Sequence, residues 1–381
     1  MAYKVDNAII MAAGTASRFA PLSFEKPKAL IEVRGEVLIE RQIKQLFATG
    51  INEIVIIVGY KKEQFDYLID KYGVKLVENK DYLTRNNNAS IYYAKQYLKN
   101  TYVCSSDNYF VKNPFEKYVD ESYYSAVYAE GHTEEWCIGQ DAEGYINAVT
   151  IGGNDSWYML GHTFWSEEFS SKFLKILEQI YDENETQNLL WEGIYMRHLD
   201  ELKMKIRKYP VDVIFEFDTL DELKADIKKQ MNERKAEEAK NDFENQLIEQ
   251  VIDNMECEVP KCMFDKRADE MVQDYAYRLQ MQGIDLDTYL KYLGQDKDAF
   301  KATFKDGAEK QVKASIALEA IVEAEKLEAT EEEIDAEIAK LAEQYQMEAD
   351  QIKKAVPADQ IAADVKTKKA IDIIVDSAVK E

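Results

Sequence analysis

The sequence has little cysteine, no long apolar run and no excess of positive charge. Four cysteines in 381 residues provide no disulfide framework, and no His or Cys pair near Cys257 and Cys262 completes a zinc site, so we interpret all four cysteines as reduced packing residues. No run approaches the roughly 18 apolar residues of a membrane span, and the first residues lack the layout of a signal peptide. These absences predict a cytoplasmic protein that does not bind a membrane.

The acidic balance of the chain argues against one class of partner and divides the chain in two. A formal net charge of −24 argues against non-specific nucleic-acid binding, because neutralising phosphates requires an excess of Lys and Arg. Residues 1–231 carry a net charge of −9 and residues 232–381 one of −15, while 12 of the 15 glycines and all four tryptophans precede residue 232. We therefore predict two domains, 1–230 and 231–381.

The first part alternates short apolar runs with helical patterns. The runs at 8–13, 53–60 and 102–107 are typical of buried strands, and the segments 37–50 and 63–73 between them have helical spacing and end at Gly. This order predicts an α/β domain with a mostly parallel sheet, which binds ligands at the carboxyl ends of its strands. Shorter strands are expected at 125–130, 136–140 and 145–151.

The second part is dominated by amphipathic helical patterns and has few glycines. Helices are expected at 264–283, 298–327 and 330–345, and Thr330 with Glu333 forms a capping box at the start of the last one. An all-α domain is therefore predicted after the α/β domain. Because this part carries no motif of catalytic type, we interpret it as a binding or scaffolding module.

The loop after the first strand carries the strongest chemical signal. Ala12, Ala13 and Gly14 let the backbone come close to a phosphate chain, and successive N–H groups in such a loop form an anion site. Arg18 and Lys28 add two cations beside a turn that contains two prolines. Both cations and both prolines must coincide, so the pattern favours a triphosphate-binding loop over a surface loop.

Carboxylates follow two of the predicted strands. Asp107 lies at the end of the run 102–107, at the edge of the sheet where ligands collect. In the segment 213–220, alternation places Glu216 and Asp218 on one face and two phenylalanines on the other. Carboxylates of this kind are the ligands that Mg²⁺ takes together with phosphate oxygens. The residues therefore predict a magnesium site.

The small-residue loop with Arg18 and Lys28 resembles the signature of nucleotidyltransferases, and over about residues 3–220 the chain is similar to bacterial CTP:phosphocholine cytidylyltransferases. The similarity lies in the segments 57–77, 85–93, 105–109, 134–136, 189–193 and 215–218. It implies a Rossmann-like fold and the Mg²⁺-dependent transfer of CMP from CTP to phosphocholine, which gives CDP-choline and pyrophosphate. The chain departs from the family pattern at Ala16, where a second glycine is common.

The resemblance also implies roles for single residues. Arg18 and Lys28 would bind the triphosphate, while Asp107 and Asp218 would hold Mg²⁺. The residues expected to bind the nucleotide are Ala12, Ala13, Gly14, Gly59, Tyr60, Asn87, Asn88 and Ser90. A quaternary ammonium donates no strong hydrogen bonds, so aromatic faces and carboxylates suit it. The candidates for binding it are Tyr128, Trp136, Trp191, Glu192 and Glu216.

From about residue 220 to 381 the chain resembles the C-terminal domain of bacterial trigger factor, on the segments 240–260, 281–290 and 317–345. This resemblance implies a chaperone-like domain that binds unfolded polypeptides, without ribosome docking or prolyl isomerase activity. Two alternatives stay open at this point. The enzyme could use a sugar 1-phosphate and another nucleotide, or the chain could be chiefly a polypeptide-binding protein.

Overall fold

A computed structural model describes residues 2–281, 283–345 and 349–379. Gln282, inside the helix expected at 264–283, therefore lies outside the described residues. The chain divides into two compact units, Met1–Gln230 and Met231–Glu381. Each unit has apolar clusters of its own.

The first unit contains thirteen strands within the described residues. They are β1 (Tyr3–Lys4), β2 (Asn7–Ala12), β3 (Glu32–Val33), β4 (Glu36–Val37), β5 (Ile54–Val58), β6 (Lys75–Glu78), β7 (Thr101–Ser105), β8 (Asn108–Phe110), β9 (Tyr118–Val119), β10 (Tyr123–Gln140), β11 (Ile146–Trp165), β12 (Lys205–Tyr209) and β13 (Ile214–Glu216). Seven of them form one sheet in the order β12-β10-β11-β7-β2-β5-β6.

Helices and short 3₁₀ turns connect these strands. The helices are α1 (Leu38–Ala48), α2 (Tyr67–Tyr72), α3 (Asn88–Tyr93), α4 (Glu167–Ile180), α5 (Trp191–Met196) and α6 (Leu220–Asp253). The 3₁₀ turns are Ser17–Phe19, Leu22–Phe24, Lys28–Leu30, Lys62–Phe65, Lys95–Tyr97 and Asn184–Asn188. The last helix begins in the first unit and extends into the second.

The centre of the sheet is parallel and buried on both faces. Strand β2 pairs in parallel with β5 and β7, and β5 pairs in parallel with β6. Along β2, Ile10 packs into one apolar cluster and Ile9 into another, as expected when a strand is covered on both sides. The predicted α/β fold with a mostly parallel sheet is confirmed.

The three short strands expected between 125 and 151 were wrong in extent. The structure has two long antiparallel strands there, β10 and β11, whose register shifts at several irregularities. Bulges of this kind add a residue on one strand and let pairing continue beyond them. The hairpin therefore runs through the charged and glycine-containing segments that we interpreted as strand ends.

The described residues of the second unit form helices joined by short connecting segments. After α6 it contains α7 (Lys261–Met281), α8 (Leu286–Leu293), α9 (Lys297–Ala302), α10 (Lys305–Ala324), α11 (Glu331–Tyr345), α12 (Ala349–Ala355) and α13 (Ala358–Ser377). The predicted all-α character is confirmed. The helix expected at 298–327 is divided between α9 and α10, and Phe300 and Phe304 pack edge to face beside the break, 5.2 Å apart.

Two smaller expectations have opposite outcomes. The capping box is present, since the Glu333 amide donates to Thr330 Oγ1 and the Thr330 amide donates to Glu333 Oε2. The four cysteines differ in burial. Cys104 and Cys137 are buried, whereas Cys257 and Cys262 are exposed. Our interpretation of all four as packing residues was therefore wrong for the last two.

Among the described helices, none combines the length and hydropathy that crossing a membrane requires.

The start of α6 belongs to the first unit and leads to a prediction about its boundary. Leu223 is buried with Phe19, Tyr109 and Phe217. We expect a chain that ends at Gln230 to unfold at the same urea concentration as the first unit of the full chain. A chain that ends at Thr219 should lose about 3 kcal/mol of unfolding free energy, because burying one Leu contributes about that much. Tryptophan fluorescence measures this, since all four tryptophans precede residue 219. Equal midpoints for the two shortened chains would contradict the expectation.

Candidate active site

The loop after β2 is held in place by the segment that follows β5. The Tyr60 amide donates to the Ala13 carbonyl oxygen over 3.1 Å, and the Tyr60 hydroxyl donates to the Ser23 carbonyl oxygen over 2.9 Å. A Cβ at Gly59 would lie 2.9 Å from the Ala13 oxygen and 2.7 Å from the Tyr82 ring, so only glycine permits this approach. Gly59 and Tyr60 therefore support the loop, and neither lines the cavity described below.

Ala16 has a left-handed conformation within the same loop. Its φ of 47° and ψ of 47° turn the chain into the 3₁₀ turn that contains Arg18. A side chain in this region costs about 1–2 kcal/mol relative to the usual right-handed conformation. Ala16 therefore adopts the left-handed turn at the position where the chain departs from the family's usual glycine.

A short antiparallel ladder brings three carboxylates together. Strand β8 pairs with β13, with Asn108 opposite Glu216. Because Asp107 immediately precedes β8 and Asp218 follows β13 by two residues, this register brings both acids to the same end of the ladder as Glu216. One carboxylate oxygen from each of the three residues lies within 4.8 Å of the others.

This cluster fits a divalent cation. Asp107 Oδ1 is buried and has no hydrogen-bond partner among the described residues, although a buried carboxylate oxygen normally has one. Hard cations such as Mg²⁺ bind carboxylate oxygens grouped in this way. The sequence predicted Asp107 and Asp218 as the ligands and Glu216 as a substrate residue, and the structure brings all three together.

Two cations lie against the carboxylates. Lys28 Nζ is 2.9 Å from Asp107 Oδ2 and 3.5 Å from Asp218 Oδ1, and its side chain is only 12% exposed. Arg18 Nη1 is 3.2 Å from Asp218 Oδ2, on a side chain that is 67% exposed. Lys28 is thus fixed between two acids, whereas Arg18 contacts them from the solvent side.

The environment of Glu216 disfavours its charged form. Burial, followed by the negative charges of Asp107 and Asp218, raises the pKa of Glu216 well above its usual value. Glu216 nevertheless keeps part of its surface exposed to solvent. The repulsion follows from the ladder that brings the acids together.

A cavity of about 360 Å³ lies against the loop, the cations and the carboxylates. Of the predicted residues, it is lined by Ala12, Ala13, Gly14, Arg18, Lys28, Asn87, Ser90, Asp107 and Asp218. The sequence analysis missed Asn79, Tyr82, Arg85, Asn86 and Ser106, which also line it. A signal for most of these was available, because they follow β6, and the carboxyl ends of parallel strands share one edge of the sheet.

Asn87 and Asn88 have different positions. Asn87 Nδ2 donates to Glu192 Oε2 over 3.1 Å, and Asn87 Oδ1 accepts from the Trp191 amide. Asn88 is fully buried, and its amide donates to the carbonyl oxygens of Thr186 and Leu189. The Asn88 amide nitrogen therefore holds this turn in place, and the assignment of Asn88 to the nucleotide stays a prediction.

Several acids and tyrosines lie in electrostatic contact with the carboxylate cluster. Burial raises the pKa of Glu192 to about 7, against hydrogen bonds from Asn87 and Tyr124, and the charge of Asp107 adds to the rise. Burial also raises the pKa of Glu135, with Asp218 next in effect. Glu135, Tyr124 and Tyr158 were missed in the sequence, because nothing in the local pattern of a long hairpin separates them from other strand residues.

The predicted aromatic residues are dispersed. Trp191 is 1% exposed and packs on Trp165 and Phe173, so its ring cannot reach a ligand in this arrangement. Tyr128 packs edge to face on Trp157, and Lys208 Nζ lies 4.8 Å from the Trp157 ring centre. Tyr128 thus packs on a ring that already contacts a cation, and its assignment to an ammonium stays a prediction.

Trp136 is half-buried and packs against the apolar cluster that contains Tyr124 and Trp191. Tyr124 in turn stacks on Trp191 at 5.8 Å and donates to Glu192. Trp136 and Glu192 therefore stay candidates for the acceptor substrate.

Comparisons with known proteins agree with this geometry. Residues 8–164 match the family model of the MobA-like NTP transferase domain. The choline-phosphate cytidylyltransferase of Streptococcus pneumoniae is 37% identical over 214 residues, which are 56% of this chain and 93% of that protein. The chain belongs to the cytidylyltransferase family. The 2-aminoethylphosphonate cytidylyltransferase of Lancefieldella rimae is 36% identical over 223 residues, 58% of this chain and 91% of that protein.

A solved structure and a second family complete the comparison. The structure of CTP:phosphocholine cytidylyltransferase from Streptococcus pneumoniae superposes with a TM-score of 0.57 at 35% identity, over 60% of this chain and 100% of that one. Residues 219–376 match the bacterial trigger factor C-terminus. Trigger factor of Bacillus cytotoxicus is 37% identical over 186 residues, but these are only 43% of its length and 49% of this chain. This cytidylyltransferase therefore carries a trigger factor C-terminal domain.

Two glycines of the cytidylyltransferase loop region test the geometry. Gly59→Ala should lower the unfolding free energy by about 1–3 kcal/mol, because its Cβ would push on the Ala13 carbonyl and the Tyr82 ring. Gly14→Ala is the matched control, since a Cβ there meets nothing within 4 Å. It should leave stability unchanged, yet lower kcat/KM for the nucleotide roughly tenfold or more, because the methyl enters the cavity. Urea denaturation and steady-state pyrophosphate release measure the two effects. Equal stability loss in both variants would contradict this interpretation.

Proposed function

We propose that this cytidylyltransferase transfers CMP from CTP to phosphocholine and releases pyrophosphate. The observation that carries the proposal is the position of Lys28, between Asp107 and Asp218 at the cavity, in a chain 37% identical to a choline-phosphate cytidylyltransferase. A buried lysine beside two carboxylates suits a site where a triphosphate and a divalent cation meet.

The loop and the two cations support triphosphate binding. Gly14 lines the cavity without a side chain, so the phosphates can approach its backbone closely. Arg18 and Lys28 line the same cavity, where they can bind the negative charge of the pyrophosphate group as it leaves. Because Lys28 is fixed by its acidic neighbours, little reorganisation is needed during the reaction.

Asp107 and Asp218 would hold Mg²⁺, with Glu216 beside them. The metal would neutralise phosphate oxygens and so lower the barrier to displacement. The unpartnered Asp107 Oδ1 supports this assignment, since it leaves a buried carboxylate oxygen available as a ligand. No residue of the chain needs to form a covalent bond with the substrate.

The acidic surroundings support a cationic acceptor. Glu135 and Glu192 lie in electrostatic contact with the carboxylate cluster that contains Glu216, and the combined negative charge favours binding of an ammonium. A neutral sugar ring offers these acids hydroxyl hydrogen bonds but no positive charge, so their combined charge favours a cationic acceptor over a sugar 1-phosphate. Tyr124, Tyr158 and Trp136 add the aromatic faces that a quaternary ammonium prefers.

In the proposed reaction an oxygen of the phosphocholine phosphate attacks the α-phosphorus of CTP. The new P–O bond forms as the bond between the α-phosphorus and the bridging oxygen breaks, and that oxygen leaves with pyrophosphate. The residues that line the cavity act by orientation and charge.

For the helical unit we propose polypeptide binding. Large apolar side chains of Tyr277, Met281 and Tyr292 are exposed, the last at 90%. Exposed apolar groups of this kind are suited to transient contact with the apolar segments of unfolded chains. The match to the trigger factor C-terminus supports the same proposal.

An acceptor panel tests the enzymatic proposal. Turnover with CTP should be highest for phosphocholine and absent for glucose 1-phosphate. It should be lower for phosphoethanolamine and 2-aminoethylphosphonate, because a primary ammonium is more strongly hydrated and loses more on leaving water for aromatic faces. Pyrophosphate release with CTP, UTP, GTP and ATP is the measurement. A preference for 2-aminoethylphosphonate would replace the acceptor in the proposal, and activity with glucose 1-phosphate alone would overturn it.

The carboxylates give a second prediction. Asp107→Asn and Asp218→Asn should each lower kcat at least a hundredfold with little change in the thermal midpoint, because each removes a ligand charge but keeps the side-chain shape. Asp221→Asn is the matched control, since its exposed side chain pairs only with Lys224 among the described contacts, and it should keep normal turnover. Near-normal turnover of either site variant at ordinary Mg²⁺ would refute the ligand assignment.

A further inference from the structure

The side chain of Arg34 packs against the two strands that bring the carboxylates together, β8 and β13. It occupies the turn between β3 and β4 with a φ of 53°. Its guanidinium carbon is 5.0 Å from the centre of the Tyr109 ring and 4.4 Å from that of Phe215. Tyr109 belongs to β8 and Phe215 to β13, and the two residues are partners in the ladder. The cation is therefore fixed on the ladder that determines where Asp107 and Glu216 lie.

The same guanidinium binds the first turns of α6. Arg34 Nη2 donates to Asp226 Oδ1 over 2.7 Å, and Nε donates to Oδ2 over 3.3 Å. Both side chains are largely buried, at 22% and 12% exposure, and Gln230 Nε2 also donates to Asp226. A two-point contact of this kind fixes orientation as well as distance.

The helix start in turn fixes the backbone of Asp218. The amides of Asp218 and Thr219 both donate to Glu222 Oε2, over 2.7 and 3.3 Å, and the Glu222 amide donates to Thr219 Oγ1 over 3.2 Å. This capping box joins Asp218 to the first helical turn. Leu223 anchors the same turn in the apolar cluster around Phe217.

We propose that Arg34 and Asp226 are positioning residues that hold Asp218 at the metal site. Neither lines the cavity, so they act through the ladder rings on one side and the helix start on the other. The inference rests on the proposed metal role of Asp218. The proposal also concerns the junction between the two families. Asp226 lies inside the trigger factor match at 219–376, but it belongs to the first compact unit. The first turns of the trigger factor segment are thus a working part of the transferase site.

Mn²⁺ binding to the full chain tests this inference without turnover. A cation that binds only the folded protein raises its thermal midpoint, and the dependence on concentration gives an apparent affinity. Unfolding is followed by tryptophan fluorescence at increasing Mn²⁺. In Asp226→Asn and Arg34→Gln the Mn²⁺ concentration that gives the same rise of the midpoint as in the wild type should be about tenfold to a hundredfold higher, as for other residues that orient metal ligands. The double variant should be no weaker than either single one, because both break the same contact.

Arg41→Gln is the matched control. Its guanidinium also lies on the Tyr109 ring, at 4.5 Å, but it bonds to the carbonyl oxygens of Phe110 and Val111 and to Glu36. This variant should lower the midpoint without Mn²⁺ but leave the Mn²⁺ affinity unchanged. If Arg34→Gln does not fold, the Mn²⁺ affinity of Asp226→Asn alone tests the proposal, since this variant keeps Arg34 and its contacts with the Tyr109 and Phe215 rings.

The outcomes separate the two proposals. If the wild type shows no Mn²⁺ shift, or Asp218→Asn keeps it, the metal assignment of the proposed function fails. If Asp218→Asn loses the shift while Asp226→Asn keeps the wild-type affinity, the positioning role is overturned and the metal assignment stands.

Discussion

The pairing of β8 with β13 is the constraint on which the candidate site depends. Three residues on each strand bring acids from distant parts of the chain to within 4.8 Å of one another. Like charges at this distance repel, and this repulsion adds to burial, the larger effect, in raising the pKa of Glu216. The ladder tolerates that repulsion because Lys28 lies between Asp107 and Asp218, and because buried rings and strand hydrogen bonds hold the register.

The surroundings of this cluster are acidic as well. Glu192 has a pKa of about 7 because it is buried, and Glu135 is shifted in the same direction. A protein gains no stability from acids desolvated in this way, so their presence is best explained by a ligand that compensates for them. A cationic acceptor next to a bound metal and triphosphate is such a ligand, and this is the physical basis of the proposed substrate class.

The junction between the two families is not a simple boundary. The sequence match to trigger factor begins at residue 219, directly after Asp218, whereas the first compact unit continues to Gln230. The intervening turns supply a helix cap, a buried Leu223 and the partner of Arg34. A helix start is a natural place for such a join, because the capping interactions depend on a few local residues.

The sequence by itself determined the division into a glycine-rich α/β part and a glycine-poor helical part, the buried parallel strands, and the small-residue loop with Arg18 and Lys28. These features depend on local composition and on the period of apolar residues, which are properties of neighbouring positions. Only the tertiary structure decided that Glu216 joins Asp107 and Asp218, that Trp191 and Asn88 are buried, that Tyr128 packs on Trp157, and that Glu135 and Tyr124 lie near the acids. The physical reason is that these neighbours are set by strand register and long-range packing, and a local pattern carries no information about which distant residue a strand will pair with.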